Sequence, residues 1–362
     1  MNKSKLLAST MLVSAAALMV AGGANAATLK LGGVAEFWVG VGDPNGKLDS
    51  ATNQLNNFDV KNDSEIHFKA EETLDNGLKI GALLEMEAGN GNDNAGGTGF
   101  DETSGWVKAP WGQINLGNND VASSYVGGVS AVGPVGVIKS DAGDWLNGFD
   151  ARLNNVDADV GVGDAQNVTY FTPRVAGVQL IVSYTPDQTD TQGNGVFDDS
   201  ETTGFNNAWS GAVKYGAKFG EVGIKLNAGM THVKTAGGGV SADDSATRDA
   251  HNVKAEVSVG RATITGAYAK ENLDSQNEFY YGAGVVFAVS KTDKVSAAWT
   301  YSEDADVQGT KDLGSSIYAF GYSRNLGKGI SLAASAFYAE EEQATGGDQS
   351  GVGVVGGFVV KF

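Results

Sequence analysis

The sequence predicts an all-β fold: a 16-stranded antiparallel transmembrane β-barrel with short periplasmic turns and long extracellular loops. Three observations predict it. Apolar and polar residues alternate with period two along most of the chain, seven short turns punctuate the alternation, and long polar connections fall between the turns. Composition narrows the field further. The chain has 362 residues, 52 of them glycine, with five prolines and no cysteine. Its charge is −18, from 25 basic and 43 acidic residues, which is the wrong sign for a nucleic-acid partner. Without cysteine there is no disulfide, thiolate metal site or cysteine nucleophile. Three histidines, His67, His232 and His251, leave little for a histidine-based metal centre.

Residues 1–26 read as a secretory signal peptide. Lys3 and Lys5 precede an apolar run from Leu6 to Ala21, and Ala24-Asn25-Ala26 supplies a small-x-small cleavage site. The competing reading is an anchor helix, but the run is short and the triplet is clean. Without Lys3 and Lys5, residues 27–362 carry 23 basic and 43 acidic side chains, a charge of −20. That segment is expected to form one barrel, and it contains no apolar run of the roughly 18 residues a membrane helix needs.

The strands can be taken in order. Leu29, Leu31, Ala35, Phe37, Val39 and Val41 share one parity, and Lys30, Glu36 and glycines hold the other. Ile66, Phe68 and Ala70 then oppose Glu65, His67, Lys69 and Glu71. Leu74-Asp75-Asn76-Gly77 makes a tight turn, because Asn-Gly accepts the positive φ that hairpins need. Leu78, Ile80, Ala82, Leu84 and Met86 continue, against Lys79, Glu85 and Glu87. Similar turns follow at Pro110–Gly112, Arg174–Gly177, Gly220–Gly223, Gly260–Ala262, Ser290–Lys294 and Asn325–Gly329. Seven hairpins and two end strands make sixteen strands. The remaining connections, about 43–62, 89–101, 118–166, 186–207, 232–250, 271–277, 303–315 and 341–350, are rich in Gly, Asn, Asp, Ser and Thr.

Short turns on one rim and long polar loops on the other is the plan of an outer-membrane barrel, and sixteen strands leave a water-filled lumen. A soluble sandwich fits less well. Many strands reach the roughly 9–11 residues that cross a bilayer at a tilt. Trp38 and Phe37, Tyr184, Phe219, Trp299 and Tyr301, and Tyr318 and Tyr322 fall near strand ends, where an interfacial girdle belongs. The charged parity, including Lys69, Lys79, Lys214, Lys218, Lys225 and Lys254, would then line the lumen.

In these features the chain resembles the Gram-negative general porins, α-proteobacterial ones in particular. The resemblance rests on Ala27-Thr28-Leu29-Lys30-Leu31-Gly32-Gly33, on the hairpin Trp106–Gly117, on Asn167–Pro173 with Ala176-Gly177 and Tyr184-Thr185-Pro186, and on the ending Phe358-Val359-Val360-Lys361-Phe362. It spans essentially all of 27–362. It implies a homotrimer in outer-membrane lipid and lipopolysaccharide, with no enzymatic activity and no required cofactor. Small hydrophilic solutes and ions would pass by diffusion.

The third loop is the candidate for selectivity. The short turns near Trp111 and Val175 lie 64 residues apart, leaving 49 residues, 118–166, for one connection. The resemblance implies that this loop enters the barrel and constricts it. Asp141, Asp144, Asp150, Asp157 and Asp159, with Asp120 and Asp164, outnumber Lys139 and Arg152 for a balance of −5. A carboxylate-lined constriction favours cations, so mild cation selectivity is expected. The competing reading is that single aspartates cap turns. General porins set an arginine cluster against such acids, and here the chain departs from them. It has five arginines, three of them in or beside short turns, so Lys69, Lys79 and His67 are the nearest basic wall residues.

In the fourth loop, Asp190, Asn194, Asp198 and Glu201 match positions 1, 5, 9 and 12 of a calcium loop, with Gly195 at the sharp turn. Gln192 departs from that pattern at position 3, so calcium is an expectation to be tested. Rival functions are a substrate-specific porin, for which Trp145 is the best single residue, and a structural or adhesive outer-membrane barrel. A barrel hydrolase would need a supported Ser–His pair, and no nucleophile-elbow motif is present.

Overall fold

Sixteen antiparallel strands run in chain order round a closed barrel, β1 pairing with β16. The computed structural model describes residues 27–44, 57–87, 100–137, 145–146, 158, 160–163, 165–187, 204–236, 247–273, 276–305, 313–342 and 347–362. The strands are β1 (Thr28–Pro44), β2 (Phe58–Thr73), β3 (Lys79–Glu87), β4 (Phe100–Ala109), β5 (Gly112–Asn118), β6 (Gln166–Phe171), β7 (Val178–Asp187) and β8 (Gly204–Phe219). The second half comprises β9 (Val222–Ala236), β10 (Thr247–Val259), β11 (Ala262–Leu273), β12 (Gln276–Ala288), β13 (Asp293–Ala305), β14 (Leu313–Gly327), β15 (Ile330–Glu341) and β16 (Gln349–Lys361).

Closure removes every open sheet edge, which a chain surrounded by hydrocarbon requires. The seam is zipped to its last residue. The Gly33 amide donates to the Phe362 carbonyl at 2.9 Å, and the Phe362 amide returns a bond to the Gly33 carbonyl at 3.1 Å. At the first hairpin Gly77 takes φ +83°, and its amide reaches the Leu74 carbonyl at 2.8 Å. The Asn76 side chain accepts from the Leu78 amide at 3.1 Å, so the Asn-Gly pair performs the turn its residue types favour.

Parity decides the two surfaces. Leu29, Leu31, Phe37, Val39, Val41, Leu226, Val253, Ile264 and Phe320 are exposed on the outside, an apolar band of the kind that a membrane barrel presents. Tyr268, Tyr281 and Tyr301 form a lateral row across β11, β12 and β13, with ring centroids 5.2 and 6.3 Å apart, and Tyr318 lies 6.2 Å from Tyr338. These tyrosines form part of an interfacial girdle.

Two details depart from the sequence reading. Trp38 is not on the girdle: it points inward, 2 % exposed, and its indole N–H donates to Glu36 Oε2 at 3.3 Å. Its even parity follows Glu36 and Gly40, while the outward role belongs to Phe37, which stacks on Phe358 at 5.1 Å. Several strands also run past the boundaries expected. β9 continues to Ala236 and β10 begins at Thr247, although 232–250 reads as loop. Ladder bonding needs only the backbone, so polar pairs such as His232 and Asp249, 2.7 Å apart, extend the sheet without an apolar signature.

Candidate functional site

The described part of the connection after β5 turns into the barrel. Beyond Asn118 it forms a 3₁₀ turn at Ala122–Val126 and a helical turn at Pro134–Val137, with Val121, Val126, Val129 and Val135 buried. Peptide groups outside a ladder need partners, and the inner faces of the strands supply them. The Ser123 amide donates to Ser210 Oγ on β8 at 2.9 Å. Its hydroxyl shares a 2.8 Å hydrogen bond with Thr231 on β9, and its carbonyl accepts from Asn252 Nδ2 on β10 at 3.1 Å. The Val126 carbonyl accepts from Asn227 Nδ2 at 3.0 Å, and Ser130 Oγ donates to Glu256 Oε2 at 3.3 Å. Ser296 on β13 then binds both polar groups of Val132, and Ser335 on β15 accepts from the Val135 amide at 3.2 Å.

The anchors therefore advance from β8 round to β15, and Trp145 and Leu146 reach β1 and β16 near Gly40, Gly42 and Gly351. Space along this track is made by missing side chains. A methyl group at Gly321 would occupy the Val132 carbonyl, and one at Gly282 or Gly284 would meet Val129. The loop is a belt fitted to a groove of small residues.

Charges on the inner wall are unevenly distributed. β1, β2 and β3 carry Glu36, Asp63, Glu65, Glu71, Glu85 and Glu87 on inward parity. His67, Lys69 and Lys79 project from the same wall. His67 lies between Glu65 and Glu85, Lys79 Nζ is 3.8 Å from Glu71, and Lys69 sits 5.1 Å over the Trp106 ring. Halfway round the ring, β8, β9 and β10 present Lys214, Lys225 and Lys254. Lys225 pairs with Glu256 at 2.7 Å, whereas Lys214 and Lys254 have no carboxylate at ion-pair distance among the described residues. Lys214 instead lies 6.0 Å over the Tyr125 ring of the inward loop.

Asp141, Asp144, Asp150, Asp157 and Asp159 lie outside the described residues, as do the proposed calcium residues Asp190, Asn194, Asp198 and Glu201 and the signal segment 1–26. Sequence reasoning did not single out the belt anchors Ser210, Thr231, Asn252, Ser296 and Ser335. Their signal was small polar residues at inward parity in mid-strand, which periodicity shows but contact alone interprets.

A family model described as Gram-negative porin matches residues 8–344. The chain belongs to that family. The porin is an outer-membrane channel and not an enzyme, and its closed barrel with an inward loop has the architecture such a channel needs. Solved structures share the fold. An anion-selective porin from Comamonas acidovorans is 19% identical at a TM-score of 0.63, with 93% of this porin and 100% of that chain covered. Outer-membrane expressed OmpT of Vibrio cholerae is 13% identical at 0.60, covering 94% and 99%. A multiply substituted Rh. blastica porin is 18% identical at 0.59, covering 92% and 100%. No curated protein matches by sequence.

Proposed function

We propose that this porin passes small hydrophilic solutes and ions passively, with a mild preference for cations, and that it assembles as a homotrimer surrounded by lipid and lipopolysaccharide. The observation that carries the preference is the carboxylate-rich inner wall of β1, β2 and β3, where Glu36, Asp63, Glu65, Glu85 and Glu87 share one face. A cation moving along that wall is stabilised by fixed negative charge. The lysines of β8 and β10 offer anions a second track, so the preference is modest. The acidic balance of 118–166 adds to the cation side.

The name of the Comamonas acidovorans neighbour makes anion preference the outcome to test against. A planar bilayer with a tenfold salt gradient decides it. A reversal potential on the cation side supports the reading, and one clearly on the anion side defeats it. Trimer assembly is supported by the small outward residues Gly33, Ala35 and Gly356 at the β1–β16 seam, which permit a flat subunit contact. Cross-linking in detergent that stops at a monomer would overturn it.

A further inference from the structure

Glu65, His67 and Glu85 converge on the inner wall in a way the channel does not require. His67 faces Glu85 directly across the β2–β3 ladder, and Glu65 follows on the same face of β2. One imidazole nitrogen, Nε2, lies 3.1 Å from Glu65 Oε2 and 3.7 Å from Glu85 Oε1. One donor atom from each residue lies within 4.8 Å of the other two. Ligands held at about 2.0–2.2 Å from a common ion are about 2.8–3.6 Å apart in tetrahedral or octahedral geometry. The first distance falls within that span and the second just beyond it, so side-chain rotations within the cluster bring all three onto one centre.

The surroundings favour a divalent ion. A neutral imidazole with two carboxylates carries two negative charges, and Glu87 stands directly opposite Glu65. The three side chains are 32 %, 18 % and 20 % exposed, open to ions in the lumen yet partly sheltered from water.

We propose that Glu65, His67 and Glu85 form a divalent transition-metal site on the pore wall, open at a fourth position to water. The mixed nitrogen and oxygen set suits zinc, cobalt or nickel rather than magnesium or calcium, which take oxygen ligands. The opposing arrangement is a protonated His67 bridging the two carboxylates with no metal.

Cobalt separates the two. Metal-stripped, full-length porin in detergent is titrated with Co²⁺ and followed by its visible absorption, with Zn²⁺ as competitor. The expected result is one Co²⁺ per subunit, displaced by Zn²⁺ and bound at least about tenfold more weakly in H67Q and in E85Q. D190A/E201A keeps the wild-type affinity, which separates this site from any calcium loop. E65Q serves if E85Q does not reach the heat-modifiable folded form. Absence of a saturable Co²⁺ spectrum, or equal affinity in folded H67Q, overturns the proposal. The readout needs no ion flow, so its failure is distinct from failure of the selectivity reading.

Discussion

Ser296 and Val132 are tied at both polar groups of one residue. The Ser296 hydroxyl accepts from the Val132 amide at 2.9 Å and donates to the Val132 carbonyl at 3.1 Å, across 164 positions of sequence. Beside them, Gly321 leaves the space that the Val132 carbonyl occupies. Together they hold the inward loop against β13 and β14.

S296A is therefore expected to weaken the belt without unfolding the barrel. The two lost bonds, at part-buried peptide groups, cost about 1 kcal/mol each. Single-channel records should show a noisier open state. G321V should go further, displacing the loop from the wall and changing the conductance level itself. An unchanged record for both variants would mean that the belt does not limit flow.

Charge on the lysine wall tunes the ion preference. K214Q/K254Q removes two wall lysines that have no carboxylate at ion-pair distance among the described residues and should shift the reversal potential in a tenfold KCl gradient further toward cations. An unchanged reversal potential would show that ions do not pass beside β8 and β10.

The outer band makes a thermodynamic prediction. Val253 stands midway along β10 on the outward parity, 44% exposed. V253R should cost about 2–4 kcal/mol in unfolding from lipid vesicles, as a cation at the bilayer midplane does. Asn252, its inward neighbour, faces the loop instead, so N252D should alter conductance noise more than vesicle stability.

Closure through Phe362 is testable by deletion. Removing this residue takes away both hydrogen bonds to Gly33 and should lower the yield of heat-modifiable folded barrel, whereas F362A keeps the backbone bonds and should lower it less. Equal yields for the two would place the effect in the aromatic ring.

Calcium is a separate question. Calorimetry on the full porin should show Ca²⁺ binding that D190A/E201A abolishes. No heat with the wild type would remove the loop site.

Most of the barrel was legible because side-chain parity and turn chemistry are local. Alternation such as Val253, Ala255, Val257 and Val259 against Lys254, Glu256 and Ser258 states which residues face lipid, and Asn76-Gly77 states where the chain reverses. Trp38 was misplaced because its neighbour Phe37 carries the same residue character on the opposite parity. The ends of β9 and β10 were hidden because polar pairs continue a ladder as well as apolar ones.

The sequence by itself determined strand number, order, lipid-facing parity and the presence of one unusually long connection, since each follows from residues adjacent in the chain. Tertiary structure alone decided where that connection lies and which wall charges meet. Ser123 reaches partners 87, 108 and 129 positions away, and Glu65, His67 and Glu85 converge through the register of two strands. Closing the ring turns an alternating list of polar residues into a belt, an acidic wall and a lysine wall, because closure alone sets which strands stand opposite.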